Sequence, residues 1–229
     1  MKWRSLDEAA PAEDTRSLRD QFAERKQLIA KYVPLETQAI HARLIAELKE
    51  QGIASRALSE GVKAPDFMLN DHNGRLVSAA ELLDQGRLVI CFFRGRWCPF
   101  CVGQLEAMNQ ILPQIQQARA SLIAISPQTI QQSFFMADQH KLCFPLLSDP
   151  DNQVARGFGL VYRVPDYQQS VYRRVFINLP FTNGDQTWEL PIPATYILDR
   201  DRTVLYASVN PEYTERPEPS EIFQRLTTA

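Results

Sequence analysis

Cysteine is scarce in this chain, with four in 229 residues. That is too few for the disulfide-built scaffold that small secreted domains use in place of a core. Histidine is scarcer still: His41, His72 and His140 lie far apart, so no zinc-type set of paired ligands can be read from the spacing, and no metal or other cofactor is expected. No apolar run approaches the roughly 18 residues that would suggest a membrane span. Residues 1–14 lack the apolar core of about 7–15 residues that marks a secretory leader. A net charge of −2 supplies no field of either sign to draw nucleic acid or an anionic membrane. The simplest compartment is the cytoplasm. What is present is ordinary: 45% hydrophobic and 23% charged residues, in a length that suits one large domain or a domain with an appendage.

The distinctive stretch is Trp97-Cys98-Pro99-Phe100-Cys101. It follows Leu88-Val89-Ile90-Cys91-Phe92-Phe93, a continuous apolar run of the kind that a strand covered on both faces requires. A basic loop, Arg94-Gly95-Arg96, separates the two. Pro99 suits the first position of a helix, where its missing N–H would have gone unpaired anyway. Cys98 then falls at the N-cap and Cys101 in the first turn. Both sulfurs face the positive end of the helix dipole beside two arginines, which favours thiolate over thiol. Two intervening residues also leave the sulfurs close enough to join. A structural disulfide does not suit a reducing compartment. The motif therefore reads as a redox site. Cys91, inside the strand, reads as a small buried hydrophobe. Cys143 reads the same way, with a role as an extra thiol as its alternative.

Along the chain, residues 15–57 have helical periodicity. Phe22, Leu28, Ile29 and Tyr32 make a sparse apolar stripe; Ile40, Leu44, Ile45 and Leu48 make a second one after Pro34. This segment, taken as an N-terminal helical extension over 1–60, suits either a dimerisation arm or a helical pair packed on its own domain. The domain proper spans 61–229. Strands are expected at 65–69, 88–93 and 121–125, and a hairpin from 194–198 and 203–207. Helices are expected after the dithiol (kinked by Pro113), at 128–140 and at 218–226. Strands alternating with helices argue an α/β fold with a central sheet. An insertion at about 161–192 interrupts the rhythm with Tyr162, Tyr167, Tyr172, Phe176, Phe181 and Trp188, which suit either a substrate cleft or core packing.

From Gly61 onward the chain resembles the peroxiredoxin-like branch of the alkyl hydroperoxide reductase/thiol-specific antioxidant family. The carriers are Gly61-Val62-Lys63-Ala64-Pro65-Asp66-Phe67, Phe92-Phe93-Arg94-Gly95-Arg96-Trp97-Cys98-Pro99-Phe100-Cys101, Ala124-Ile125-Ser126-Pro127, Phe144-Pro145-Leu146-Leu147-Ser148-Asp149 and Leu190-Pro191-Ile192-Pro193-Ala194-Thr195. The resemblance implies a thioredoxin-like fold, a mixed sheet flanked by helices. It also carries departures. Where the family has proline, threonine and the peroxidatic cysteine, this chain has Arg94, Cys98 and Cys101. Where the family's assisting arginine precedes a late aromatic, Pro193 stands before Tyr196, in a position that resembles the thioredoxin proline, typically cis and set against the dithiol.

The reading is a thiol oxidoreductase cycling between dithiol and disulfide. As a peroxidase, Cys101 attacks the peroxide and condenses with Cys98, while Arg94 and Arg96 steady the charges. As a disulfide reductase, Cys98, taken as the more exposed thiol, attacks and Cys101 resolves. A non-enzymatic redox sensor is the third option. Pro193 completes the expected catalytic set, and Trp97, Pro99 and Phe100 the expected substrate contacts. The expected partners are a peroxide or disulfide substrate and an external thiol of thioredoxin or glutathione type, with a homodimer as a further possibility.

Overall fold

The apolar run at 88–93 forms the middle of the molecule. In the computed structural model, which describes residues 16–228, both of its faces are covered. The strands are β1 (Met68–Asp71), β2 (Leu76–Ser78), β3 (Arg87–Phe92), β4 (Ala120–Ser126), β5 (Leu146–Ser148), β6 (Val161–Arg163), β7 (Glu189–Pro191), β8 (Ala194–Leu198) and β9 (Val204–Val209). Seven of them form one sheet in the order β2-β1-β5-β4-β3-β8-β9, and β6 pairs with β7 separately. β3 lies parallel to β4 and antiparallel to β8, so the sheet is mixed.

Side-chain parity on β3 divides the interior in two. Leu88, Ile90 and Phe92 enter one apolar cluster, and Val89, Cys91 and Phe93 enter the other. The helices are α1 (Leu18–Tyr32), α2 (Leu35–Glu50), α3 (Ile53–Arg56), α4 (Ala79–Gln85), α5 (Pro99–Gln110), α6 (Leu112–Gln117), α7 (Ile130–His140), α8 (Gln153–Gly157), α9 (Asp166–Arg174), α10 (Leu179–Asn183) and α11 (Pro219–Thr228). The first cluster takes Leu44 and Leu48 of α2, Leu83 of α4 and Tyr172 of α9. The second takes Leu18 and Phe22 of α1, Phe100 and Leu105 of α5, Met136 of α7 and Ile222 of α11. No described helix is long and apolar enough to cross a membrane.

The described part of the N-terminal segment packs on its own chain. Of the expected stripe, Phe22 is buried and Ile29 half-buried against the core, whereas Leu28 and Tyr32 face solvent; Leu18, one turn before Phe22, is buried as well. Each such burial contributes roughly 1.5–3 kcal/mol, enough to hold a helix of marginal intrinsic stability. Glu218 anchors its start, accepting hydrogen bonds from the backbone N–H groups of Leu18 (3.0 Å) and Arg19 (2.7 Å).

Three local expectations change. Pro113 does more than kink its helix: α5 stops at Gln110 and α6 restarts at Leu112, because proline lacks the N–H to continue the ladder. Cys143 is exposed, not buried; Leu142 and Phe144 on either side take the inward positions and turn it outward. The described residues contain no cis peptide bond, so Pro193 is trans. Ile192 N–H is held by Leu160 O at 2.9 Å and Ala194 pairs with Phe92, which carries the chain straight into β8 in the isomer an X–Pro bond prefers.

Candidate active site

The dithiol sits where β3 ends. Phe93 N–H donates to Ile125 O at 3.0 Å, extending the β3–β4 ladder by one step, and the chain then turns sharply. Gly95 makes the turn at φ +147°, and a Cβ there would lie 2.5 Å from Trp97 Nε1, so only glycine fits. Cys98 N–H closes the loop on Gly95 O at 3.1 Å. Cys98 is the N-cap of α5, with Pro99 in its first turn, and its carbonyl accepts from the N–H groups of Cys101 and Val102. Both sulfurs are free thiols with 0% of their residues exposed. The expectation that Cys98 is the more exposed thiol is therefore overturned. The helices and loops packed around the α5 N-terminus cover both sulfurs equally.

Arg94 organises the site. It is buried, its Nη2 donates to Cys98 Sγ at 3.1 Å, and its Nη1 donates to the Tyr172 hydroxyl at 3.3 Å. The guanidinium stacks 3.9 Å from the Tyr213 ring centre and 5.0 Å from that of Trp97. A buried cation needs an anion beside it, and Cys98 is the anion available. Burial pushes the Cys98 thiol up, but the hydrogen bond from Cys101 and the Arg94 and Arg216 charges outweigh it and hold Cys98 well below the usual thiol range. Burial, together with donation to Cys98 and the negative charge there, holds Cys101 well above that range. The charges around the pair thus favour the thiolate at Cys98 over Cys101, with the Cys101 thiol donating to it.

Several participants carried little sequence signal. Arg216, in the segment before α11, places Nη2 3.8 Å from Cys101 Sγ and is fixed by Gln104, which in turn donates to Thr195 Oγ1 at 3.0 Å. His41 of α2 stands 6.5 Å from Tyr172 and 6.2 Å from Tyr213, centre to centre. Burial first and the Arg94 charge second lower its pKa to about 4, so it is neutral at pH 7. Burial pushes the Tyr213 phenol up to about 12. The aromatic insertion splits between its two readings: Tyr162 and Tyr172 are buried against Arg94, while Phe176 and Phe181 point to solvent.

Other expected site residues fall elsewhere. Arg96 leaves the sulfurs: it is exposed, and its Nε donates to Gln132 Oε1 at 2.6 Å while its backbone N–H donates to Gln128 Oε1 at 3.0 Å. That ordered amide partner on α7 draws the side chain away from the dithiol. Phe100 is buried edge-on against Phe22, with ring centres 5.0 Å apart, and so belongs to the packing. Trp97 is half-buried 5.2 Å from Tyr172. The Pro99 carbonyl accepts from Arg25 Nη1 of α1. Pro193 is buried at the entrance to β8. Among the described residues no group of His, Cys, Asp and Glu gathers as a metal site.

The family model described as AhpC/TSA matches residues 61–207. The chain belongs to the AhpC/TSA family. "Peroxiredoxin Q, chloroplastic" of rice (Oryza sativa subsp. japonica) is 30% identical over 74% of this chain and 68% of its own. "Thiol-disulfide oxidoreductase ResA" of Geobacillus thermodenitrificans is 30% identical over a shorter stretch, 45% of this chain and 59% of its own. Among solved structures, peroxidoxin BcpB from Mycobacterium tuberculosis superposes with a TM-score of 0.59 at 22% identity, over 75% of this chain and 96% of that one. The fold is that of the AhpC/TSA proteins, a thioredoxin-like mixed sheet flanked by helices. Phe22, Arg25, His41 and Arg216 lie outside the stretch that the AhpC/TSA model matches.

Proposed function

We propose that this protein is a thiol peroxidase that reduces hydroperoxides by cycling Cys98 and Cys101 between dithiol and disulfide. The observation that carries this reading is the Arg94 guanidinium nitrogen 3.1 Å from the Cys98 sulfur, which has no exposed surface. A hydroperoxide of few atoms needs only a narrow opening to meet such a sulfur, whereas a disulfide on a folded protein needs the whole cover removed. The charge placement favours Cys98 as the attacking sulfur, in place of the Cys101 attack drawn from family position. Cys98 thiolate attacks the terminal peroxide oxygen; the S–O bond forms as the O–O bond breaks. The departing alkoxide takes the Cys101 proton, and Arg94, whose Nε meets no acceptor among the described residues, donates to the oxygens during the transfer. Cys101, now a thiolate, attacks the Cys98 sulfenic sulfur, closing the disulfide and releasing hydroxide, which is protonated to water. Two equivalents of an external thiol return the pair to the dithiol. Trp97 walls the oxidant's approach; Arg96 and Pro193 have no part in this chemistry.

Stopped-flow oxidation of the reduced protein by hydrogen peroxide and by cumene hydroperoxide, read through Trp97 fluorescence, tests the reading. One disulfide per chain, at a rate proportional to peroxide concentration, is expected. One observation favours a disulfide reductase instead: an ionised first thiol with its partner one turn later also suits attack on a disulfide. Absence of a peroxide reaction, with Cys101→Ser trapping protein disulfides through Cys98, would transfer the assignment to that reading.

A further inference from the structure

Helix α1 lies along the N-terminal half of α5. Phe22 packs on Phe100, the residue before Cys101, and Arg25 reaches from the next turn of α1 to the Pro99 carbonyl and over the Phe100 ring. A Cβ on Gly103 would lie 2.9 Å from the Phe22 ring, so the dithiol helix is cut away at the place where α1 seats. Glu218 pins the start of α1 from the chain segment that also carries Arg216. This cover lies outside the stretch that the family model matches.

Closing the disulfide does not require the cover to move. Cys98 and Cys101 belong to one turn, and the Cys101 thiol already donates to the Cys98 sulfur, so the two sulfurs lie side by side and a side-chain adjustment joins them. The oxidised pair stays at the α5 N-terminus, where α1 occupies the surface of the two intervening residues Pro99 and Phe100, and whatever reduces it must fit beside α1. The Cys101 side of the pair is flanked by the half-buried Arg216, whose Nη2 is 3.8 Å from that sulfur. A guanidinium at that position attracts a thiolate nucleophile.

We propose that α1 is a specificity element that selects a low-molecular-weight thiol over a thioredoxin-type protein as the reductant. This inference rests on the peroxidase reading. The first thiolate attacks Cys101 Sγ, the S–S bond breaks, and Cys98 leaves as thiolate beside Arg94, the better leaving group of the two. A second small thiol attacks the mixed disulfide on its own sulfur, releasing Cys101 and a small-molecule disulfide.

The test uses the full chain, oxidised with one equivalent of hydrogen peroxide. Its reduction is followed by fluorescence, with cysteine, glutathione or a bacterial thioredoxin as reductant at equal thiolate concentration. Small thiols are expected to act at least tenfold faster than thioredoxin. Phe22→Ser, and separately the milder Arg25→Gln, should raise the thioredoxin rate at least tenfold and change the small-thiol rate less than threefold. Faster reduction of the unaltered protein by thioredoxin overturns the proposal, as does a thioredoxin rate that neither variant raises. If peroxide closes no disulfide, the peroxidase reading fails by itself; oxidation with diamide then supplies the same disulfide, and the reductant comparison still decides whether α1 selects.

Discussion

Cys91 lies inside β3 and Cys98 at the start of α5, and neither has any exposed surface. Burial pushes the Cys91 thiol up to about 12, and the Thr195 hydrogen bond and distant Arg216 charge do little against it. The same desolvation acts on Cys98, yet that thiol is held low. The difference is local. Cys98 has a guanidinium nitrogen at 3.1 Å, a thiol donating from the next turn and a helix N-terminus behind it. Burial by itself silences a thiol. Burial together with a trapped cation favours its ionised form, because among the described residues no carboxylate pairs with that cation.

The sharpest way to break this contrast is to remove the reactive sulfur. Cys98→Ser is expected to lose peroxide oxidation by at least ~10³-fold. Cys101→Ser should still be oxidised once and be labelled by dimedone at Cys98. Labelling of Cys98→Ser at Cys101 instead would return the attack to the second cysteine.

Removing the cation should narrow the contrast. In Arg94→Gln the ultraviolet thiolate absorbance should titrate at higher pH than in the unaltered protein, and the peroxide rate at pH 7 should fall by about 10²-fold. The unaltered rate should stay flat as pH rises from neutrality through the free-thiol value of about 8.5, whereas the Arg94→Gln rate should climb. Equal profiles would show that Arg94 does not hold the thiolate.

A smaller effect comes from His41, which shares the Arg94 cage. Its folded pKa of about 4 lies below the ordinary histidine value of 6.5, so the unfolded chain binds the proton first. Its stabilising contribution is complete above the unfolded value and is lost as pH falls to the folded one. Between pH 6.5 and 4 the unaltered protein should lose about 2 kcal/mol more stability than His41→Gln, measured by urea unfolding. Parallel losses would place His41 outside the cage in solution. The smallest effect tests the inert side of the contrast. Cys91→Ala should cost about 1 kcal/mol of stability and leave the peroxide rate within twofold; a larger change in rate would make Cys91 part of the chemistry.

Much of the fold was legible because its signals are local. The unbroken apolar run at 88–93 announced a doubly covered strand, and the Trp97–Cys101 motif announced a helix start with two thiols. The turn before β9 was legible for the same reason. The elements within 161–192 were not: β6 and β7 are three residues each and pair only with one another, too short for periodicity to register. Cys143 was misplaced because a single position between two apolar neighbours takes its direction from them. Arg96 looked as relevant as Arg94, being equally basic and equally near in sequence. Only the geometry of the Gly95 turn sends one inward to Cys98 and the other outward to Gln132.

By itself the sequence determined that this protein carries two thiols one turn apart at a helix N-terminus behind a central strand, since both follow from neighbouring residues and the 3.6- and 2-residue periods. Tertiary structure alone decided which sulfur is ionised, which arginine ionises it and what covers it. Those outcomes depend on Arg94, Tyr172, Tyr213, Arg216, His41 and Phe22 meeting across as many as 194 residues of chain, and charge in a dry interior answers to distance in space, with no regard for separation along the backbone.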